Sequence, residues 1–268
     1  MPTSQILQGK HAVVFGAGGS LGAAVAKEFA AEGAEVFLAG RTAETIELVA
    51  KEIEGAGGRS HSEVIDALDP VAVDEYVESL AQQTGGLDIQ FNATGPRISE
   101  YSNGQPAVDL SVDEFMLPVN TVLRSNFVTA RAAARQMVKQ GSGVLLFITG
   151  SPARPHVPGA SAIGAAFGAI ENLTRSMAIE LGPAKVRVVC LRIAANPDTR
   201  TIQDTNDVIG TMLNITPDQA AAAQAESTLL KVSPRTNDTA KAAAFLASDR
   251  AGMMTGTVLN SSAGLVPD

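Results

Sequence analysis

A glycine-rich turn near the start of the chain has the composition of a phosphate-binding site. In order, its residues are Gly16, Ala17, Gly18, Gly19, Ser20, Leu21 and Gly22. Glycines let the backbone approach a pyrophosphate, and the free amides and positive dipole end of a helix attract its oxygens. A turn of this kind can also serve only to pack a strand against a helix. Its position between the first apolar run and the first helical pattern favours nucleotide binding.

The end of the second apolar run predicts which nucleotide binds. An acidic residue there would accept hydrogen bonds from the adenosine ribose hydroxyls, but the sequence reads Ala39-Gly40-Arg41-Thr42. Arg41 can form two hydrogen bonds to a 2′-phosphate, and the Thr42 hydroxyl can add another. The pattern therefore favours NADP(H) over NAD(H), with a solvated residue at a helix start as the alternative for Arg41.

Apolar β-rich runs alternate with helical periodicity along the chain, and this alternation predicts the fold. The predicted strands are His11–Phe15, Ala34–Ala39, Ser62–Ile65, Leu87–Phe91, Val144–Thr149, Val186–Leu191 and Thr257–Asn260. The predicted helices are Leu21–Ala31, Ala43–Glu54, Ala72–Gln82, Val112–Lys139, Ala160–Leu181 and Thr239–Ala247. Nearly continuous apolar strands indicate a parallel sheet with helices on both faces. We therefore predict an α/β fold, a single Rossmann-type domain over residues 1–268 with a doubly wound, seven-stranded parallel sheet.

One long segment, residues 196–234, interrupts this alternation. It has an irregular pattern apart from an Ala-rich helix predicted at Pro217–Ser227. An irregular segment of this length inside a domain is usually a lid or a binding loop. A surface excursion without a function is the alternative.

Bulk composition excludes several classes of partner. The formal net charge of −8 argues against nucleic acid, and no polybasic run suggests an anionic lipid surface. No stretch reaches the ~18 apolar residues of a membrane span, and no signal peptide is evident, which predicts a cytoplasmic protein. The lone cysteine, Cys190, lies in an apolar run and is expected to be a buried structural thiol. No metal site is predicted.

These features together resemble the short-chain dehydrogenase/reductase family over roughly residues 8–265. The glycine turn is similar to that family's Thr-Gly-x-x-x-Gly-x-Gly motif, with Phe15 at the Thr position. The resemblance places Asp66, followed by Ala67, where the family contacts adenine, and its Asn-Asn-Ala-Gly segment is similar to 92–95. The residues of that segment are Asn92, Ala93, Thr94 and Gly95. Residues 245–248 and 255–256 are similar to its C-terminal signature.

The same resemblance implies that the catalytic tetrad has been replaced. In the family, a Tyr protonates the substrate oxygen, a Lys lowers the pKa of that Tyr, a Ser orients the carbonyl, and an Asn supports the proton relay. The corresponding positions, in the order Asn, Ser, Tyr and Lys, hold Val122, Gly150, Ile163 and Phe167. Apolar side chains cannot exchange protons, so the usual relay is excluded.

Three other residues are candidates for catalysis. Ser151 follows the vacant Ser position, although it can equally be a turn residue before a proline. His156 lies in a loop expected to border the substrate cleft, and its ordinary pKa suits acid–base chemistry; an exposed loop histidine is the alternative. Tyr101 follows the 92–95 segment in a loop that could face the nicotinamide, but no Lys stands four residues after it.

Four arginines fall near the predicted carboxyl edge of the sheet. They are Arg97, Arg124, Arg154 and Arg192. Together they could bind an acidic substrate or polarise a carbonyl; the alternative is that some are surface residues or are paired with carboxylates.

Two functions remain open at this point, and a non-redox lyase or isomerase is a third alternative. The first is an NADP(H)-dependent oxidoreductase of small carbonyl or alcohol substrates, acidic ones included, with replaced acid–base groups. The second is a nucleotide-binding protein without turnover, a sensor or the silent subunit of a mixed oligomer. A homotetramer or dimer is expected through the Val112–Lys139 and Ala160–Leu181 helices. The second helix carries small residues at Ala162, Gly164, Ala165, Ala166, Gly168 and Ala169.

Overall fold

The computed structural model describes residues 5–96, 100–101, 104–154 and 158–268. Within them, seven parallel strands form one sheet. The strands are β1 His11–Phe15, β2 Glu35–Gly40, β3 Arg59–Val64, β4 Ile89–Asn92, β5 Gly143–Gly150, β6 Val186–Ile193 and β7 Thr257–Ser261. Their order is β3-β2-β1-β4-β5-β6-β7, so the direction of winding reverses between β1 and β4. This confirms the doubly wound α/β sheet predicted from the sequence.

The helices cover both faces of the sheet. They are α1 Ser20–Ala31, α2 Ala43–Gly55, α3 Pro70–Thr84, α4 Val112–Pro118, α5 Arg124–Gln140, α6 Ser161–Leu181, α7 Arg200–Leu213, α8 Pro217–Ser227 and α9 Thr236–Ala247. On one face, Val14 belongs to a core cluster with residues of α1, α2 and α9. On the other, Val13 and Phe15 belong to a cluster with residues of α3, α5 and α6. Burial on both faces explains the nearly continuous apolar strands.

The predicted helix Val112–Lys139 is interrupted in the structure. Between α4 and α5, residues Val119–Leu123 form a π-helical turn. Pro118 lacks an amide hydrogen, which weakens the α-helical pattern at this point. The Val122 carbonyl accepts hydrogen bonds from Ser125 Oγ at 3.1 Å and Asn126 Nδ2 at 2.8 Å. These side chains give the turn alternative hydrogen bonds that no periodic pattern predicts.

Residues 196–234 contain two helices rather than one. The prediction of α8 is confirmed, but the expectation of an irregular chain over α7 is wrong, since Ile202, Ile209 and Leu213 recur there at helical spacing. The two ends of the segment are joined, since Asn196 Nδ2 donates to the Pro234 carbonyl at 2.8 Å and Thr236 Oγ1 donates to Asp198 at 2.7 Å. The helical pair therefore leaves and re-enters the sheet domain at one point.

The third strand was predicted three residues too late, at Ser62–Ile65. Observed β3 is the edge strand of the sheet and is largely exposed, with polar side chains in most positions. Polar edge strands protect a sheet against pairing with other chains, and they lack the apolar run used to find buried strands. No helix among the described residues is long and apolar enough to cross a membrane.

Candidate functional site

The glycine turn lies at the point where the winding of the sheet reverses. Gly16 has a φ of +73°, in the left-handed region that favours glycine. A Cβ atom there would lie 2.9 Å from the carbonyl carbon of Ala93 and from the amide nitrogen of Thr94. Gly16 therefore brings the loop after β1 against the loop after β4. In open parallel sheets, ligands bind in the crevice at this switch point.

Close packing alone explains two further glycines. A Cβ on Gly18 would collide with the side chain of Thr45, and a Cβ on Gly22 would collide with the Gly16 carbonyl. Gly19 is different, because the nearest atom to its Cβ position is 3.4 Å away. Gly19 is also the N-cap of α1, where the structure shows no side chain capping the helix. The first amides of α1 have no acceptor within the helix, which suits a phosphate group.

Arg41 lies at the carboxyl end of β2, next to the start of α2. Its side chain is exposed, and no ion-pair partner is found for it within the described ranges. Thr42 is the N-cap of α2, and its hydroxyl does not cap the helix. Arg41, Thr42 and the helix dipole thus offer an anion site beside the glycine turn.

Asp66 and Asn92 shape the loops beside this turn. Asp66 is exposed, and its Oδ1 accepts the amide of Leu68 at 3.0 Å. Ala67 between them is buried. Asn92 is fully buried; its Oδ1 accepts the amide of Thr94 at 2.8 Å, and its Nδ2 donates to Ser125 Oγ at 3.1 Å. Asn92 therefore fixes the turn that carries Ala93 and Gly95.

Apolar groups line the positions that the family resemblance assigns to catalysis. Gly150 ends β5, and a Cβ there would lie 2.9 Å from Cε2 of Phe167 on α6. Ile163 and Val122 are buried in the same core cluster. A Cβ on Gly95 would lie 3.8 Å from Cγ2 of Val122, so this wall adjoins the 92–95 turn. None of these four residues has a side-chain group that can donate or accept a proton.

The structure describes the surroundings of two of the three catalytic candidates, Ser151 and Tyr101. Ser151 is buried at the start of the short helix Ser151–Ala153, directly after β5. Tyr101 packs against the cluster that contains Val122 and Ile163. Burial raises the pKa of Tyr101 to about 12, so the phenol keeps its proton at neutral pH. His156 and Arg97 lie outside the described residues.

The arginines do not form one open anion site. Arg124 is exposed, and its Nη2 donates to the Leu68 carbonyl at 3.5 Å, near the loop after β3. Arg192 is buried and forms ion pairs with Glu171 on α6 and with Asp268. Arg154 Nη2 lies 3.4 Å from the same Asp268 Oδ1. The alternative of paired and surface arginines is thus confirmed for Arg124, Arg154 and Arg192, and among these three described arginines Arg154 and Arg192 share one carboxylate.

Two further features of the site were missed from the sequence. The amide of Arg200, the first residue of α7, lies 3.5 Å from Ser20 Oγ in the glycine turn, so residues 196–234 contact the candidate cofactor site. The second is Asp268, which completes the arginine pair. Both contacts join residues far apart in the chain. Cys190 is buried as predicted, and burial raises the pKa of its thiol to about 12.

Comparisons with known proteins agree with this geometry. The family described as Enoyl-(Acyl carrier protein) reductase has a sequence model that matches residues 16–266. The chain is 30% identical over 265 residues to short chain aldehyde dehydrogenase 1 of Euphorbia lathyris, covering 95% of this chain and 87% of that protein. It is 25% identical to an NAD+-bound xylitol dehydrogenase, with a TM-score of 0.87 and coverage of 95% and 98%. A Beutenbergia cavernae structure, provisionally titled an NAD(P) dependent gluconate 5-dehydrogenase with NADP at low occupancy, is 27% identical, with a TM-score of 0.84 and 98% coverage of both chains.

Proposed function

The chain belongs to the short-chain dehydrogenase/reductase family, and from that premise we propose that it is an NADP(H)-dependent oxidoreductase of carbonyl or alcohol substrates. Its catalytic residues differ from the family's tetrad. The observation that carries the proposal is the glycine turn at the switch point of the sheet. Beside it lies the exposed Arg41, which has no ion-pair partner among the residues that the structure describes. The solved structures that this chain resembles include one with bound NAD+ and one with NADP at low occupancy.

The residues around the turn fit the parts of a dinucleotide. The first amides of α1, at Ser20, Leu21 and Gly22, would hold the pyrophosphate, and Arg41 with Thr42 would hold the 2′-phosphate. Asp66 and Ala67 would border the adenine, and the remaining residues proposed to contact the cofactor are Gly16, Gly18, Gly19, Asn92, Ala93 and Gly95. When bound, the cofactor supplies a hydride.

The chain's own side chains then have two tasks. Val122, Ile163 and Phe167 exclude water from one wall of the cleft, which strengthens electrostatic interactions there. Proton supply passes to a group outside the tetrad positions. Tyr101 and Ser151 are the candidates among the described residues, since Tyr101 packs against the cluster that contains Val122 and Ile163 and Ser151 directly follows β5. His156 remains a candidate on its sequence position alone.

Two measurements test this function. Titration with NADPH and NADH shows whether the nucleotide site works and which cofactor it prefers. Oxidation of bound NADPH is then followed with a panel of ketones and enoyl thioesters. Slow but measurable turnover supports the oxidoreductase, whereas no nucleotide binding contradicts the proposal.

Tight NADPH binding without turnover on any compound would identify the second function, a nucleotide-binding protein that does not catalyse. The contact between Phe167 and the Cβ position of Gly150 favours this alternative, because it leaves no room for a catalytic side chain on residue 150.

We further propose that the protein is a single-domain, cytoplasmic homo-oligomer, a tetramer or dimer. Large apolar side chains are exposed on the two helices expected to form its interface, with Phe127 and Val138 on α5 and Ile179 on α6. Of the small residues on α6, Ala162 and Ala166 are buried within the chain, so they are unavailable to a partner. Ala165 and Gly168 face open space and would permit close approach of a second helix.

A further inference from the structure

Two arginines, one from a strand and one from a loop, hold a single carboxylate at the carboxyl edge of the sheet. Arg192 Nη1 lies 2.5 Å from Asp268 Oδ1, and Arg154 Nη2 lies 3.4 Å from the same oxygen. Arg192 is the penultimate residue of β6, whereas Arg154 lies in the loop between β5 and α6. Two guanidinium groups directed at one carboxylate form the kind of site by which proteins bind anionic ligands.

Arg192 is held rigidly in this arrangement. Its side chain is 1% exposed, and its Nε and Nη2 donate to the two carboxylate oxygens of Glu171 at 2.7 and 2.8 Å. This bidentate pair neutralises the guanidinium charge and fixes the direction of Nη1. Nη1 is the donor that Arg192 directs away from Glu171, and a second carboxylate, that of Asp268, accepts it.

The site lies beside the wall proposed to face the substrate. Glu171 stands one helical turn after Phe167 and two turns after Ile163, on the same face of α6. Arg192 is in register with Thr149 in the sheet, next to Gly150 at the end of β5. Glu171 and Arg192, which hold the carboxylate of Asp268 in place, therefore adjoin the positions assigned to the reaction.

We propose that Arg154 and Arg192 bind the carboxylate of an acidic substrate, a hydroxy or oxo acid, and that Asp268 is an internal carboxylate which this substrate displaces. The placement beside the reacting group rests on the proposed oxidoreductase function. Asp268 is 45% exposed and Arg154 is 56% exposed, so the exchange takes place at the solvent edge. Replacing one carboxylate by another keeps both ion pairs, so displacement leaves no buried charge unpaired.

The first experiment tests the site without cofactor or turnover. Asp268→Ala leaves a buried Arg192 donor without its carboxylate and is expected to lower Tm by about 3–6 °C. Sodium acetate at tens of millimolar should restore much of this loss, whereas sodium chloride at equal ionic strength should not. Asp268→Asn, which keeps an acceptor for Arg192 while removing the charge, provides a second and milder variant. Equal effects of acetate and chloride on both variants would overturn the proposal, because the arginines would then respond only to screening.

The second experiment tests displacement with a charged and an uncharged probe. Gluconate and xylitol are titrated by calorimetry into wild type, Asp268→Ala and Asp268→Ala/Arg154→Gln. Removal of the competing carboxylate should raise gluconate affinity at least tenfold without changing xylitol affinity, and Arg154→Gln should cancel the gain. Unchanged or weaker gluconate binding in Asp268→Ala would show that Asp268 serves only to hold its own segment. NADPH affinity is measured in the same proteins, so failure of the cofactor site is distinguished from failure of the carboxylate site.

Discussion

Cε2 of Phe167 lies 2.9 Å from the position that a Cβ atom on Gly150 would occupy, and Cδ of Pro152 lies 3.3 Å from it. Real Cβ atoms do not approach other heavy atoms as closely as 2.9 Å, so a side chain on residue 150 requires the phenyl ring to move. The glycine at the end of β5 and the phenylalanine on α6 are therefore coupled. Changing either position alone alters the packing of the other.

We predict that Gly150→Ser destabilises the fold by about 1–3 kcal/mol through overpacking. Phe167→Leu shortens the ring side chain, so Gly150→Ser should cost less in that background. Urea denaturation of the two single variants and the double variant gives the coupling energy. Gly168→Ser is a matched control, because no atom lies within 4 Å of its Cβ position. Equal costs of Gly150→Ser in both backgrounds would contradict the coupling.

We predict that NADPH binds more tightly than NADH because Arg41 pairs with the 2′-phosphate. Arg41→Ala should weaken NADPH binding by about 1.5–3 kcal/mol, roughly tenfold or more, and leave NADH binding nearly unchanged. Lys51→Ala, which removes an exposed cation from the same helix region, serves as the charge control. Equal wild-type affinities for the two nucleotides would rule out this role of Arg41.

Wild-type turnover on ordinary ketones should be very slow, because general acid catalysis typically contributes about 10²–10⁴-fold. The pH–rate profile should also lack the limb that a Tyr of lowered pKa produces. Steady-state assays with NADPH over pH 6–10 measure both properties. A rate above roughly 1 s⁻¹ would reveal a working acid, which Tyr101→Phe, Ser151→Ala and His156→Ala would then identify.

Restoring the family's groups tests the same idea in reverse. Gly150→Ser, Ile163→Tyr and Phe167→Lys together should raise carbonyl reduction, provided that the fold tolerates a Lys in an apolar cleft. Gly150→Ser needs the Phe167 change to fit, so Gly150→Ser/Ile163→Tyr should be less stable than the triple variant. Assay and thermal melts of both proteins are required. Greater stability of the variant that keeps Phe167 would show that Lys burial costs more than the steric conflict.

Alkaline pH should destabilise the fold through Cys190 and Tyr101. Burial raises the pKa of both groups to about 12, from ordinary values of 9.0 and 10.0. Below pH 9 both groups are protonated in the folded and in the unfolded chain, so the free energy of unfolding is at its full value. As pH rises towards 12, only the unfolded chain loses these protons, because the folded-state pKa is raised. The free energy of unfolding then falls, by up to about 1.4 kcal/mol per pH unit for Cys190. Unfolding free energies at pH 7–11 should therefore fall less steeply for Cys190→Ala than for wild type. Parallel curves would contradict burial of the thiol.

Gly168→Gln should disrupt the proposed oligomer without damaging the chain itself. The Cβ position of Gly168 is open on α6, so the larger side chain fits the isolated chain but blocks a second helix. Gly55→Gln, at another open helical glycine at the end of α2, is the control. Light scattering should show a smaller particle only for Gly168→Gln. A wild-type monomer at micromolar concentration would contradict the proposed assembly.

Local patterns in the sequence determined the fold and the candidate cofactor turn. Alternating apolar runs and helical periods predicted the seven strands, because both faces of the sheet are buried and the signal is continuous. The glycine turn could be found because its residues are adjacent in the chain and lie directly between β1 and α1. The same reasoning placed the start of β3 three residues too late, because this exposed edge strand is mostly polar. It also missed α7, although Ile202, Ile209 and Leu213 recur there at helical spacing.

Contacts between distant residues were decided by the tertiary structure alone. Gly150 contacts Phe167 because of the way α6 packs against the end of β5. Asp268 pairs with Arg192, which lies 76 residues earlier in the chain. The π-helical turn at Val119–Leu123 depends on side-chain hydrogen bonds to one carbonyl, which leave no periodic pattern. Sequence periodicity reports which face of an element is buried, whereas packing and register determine which side chains share that buried space.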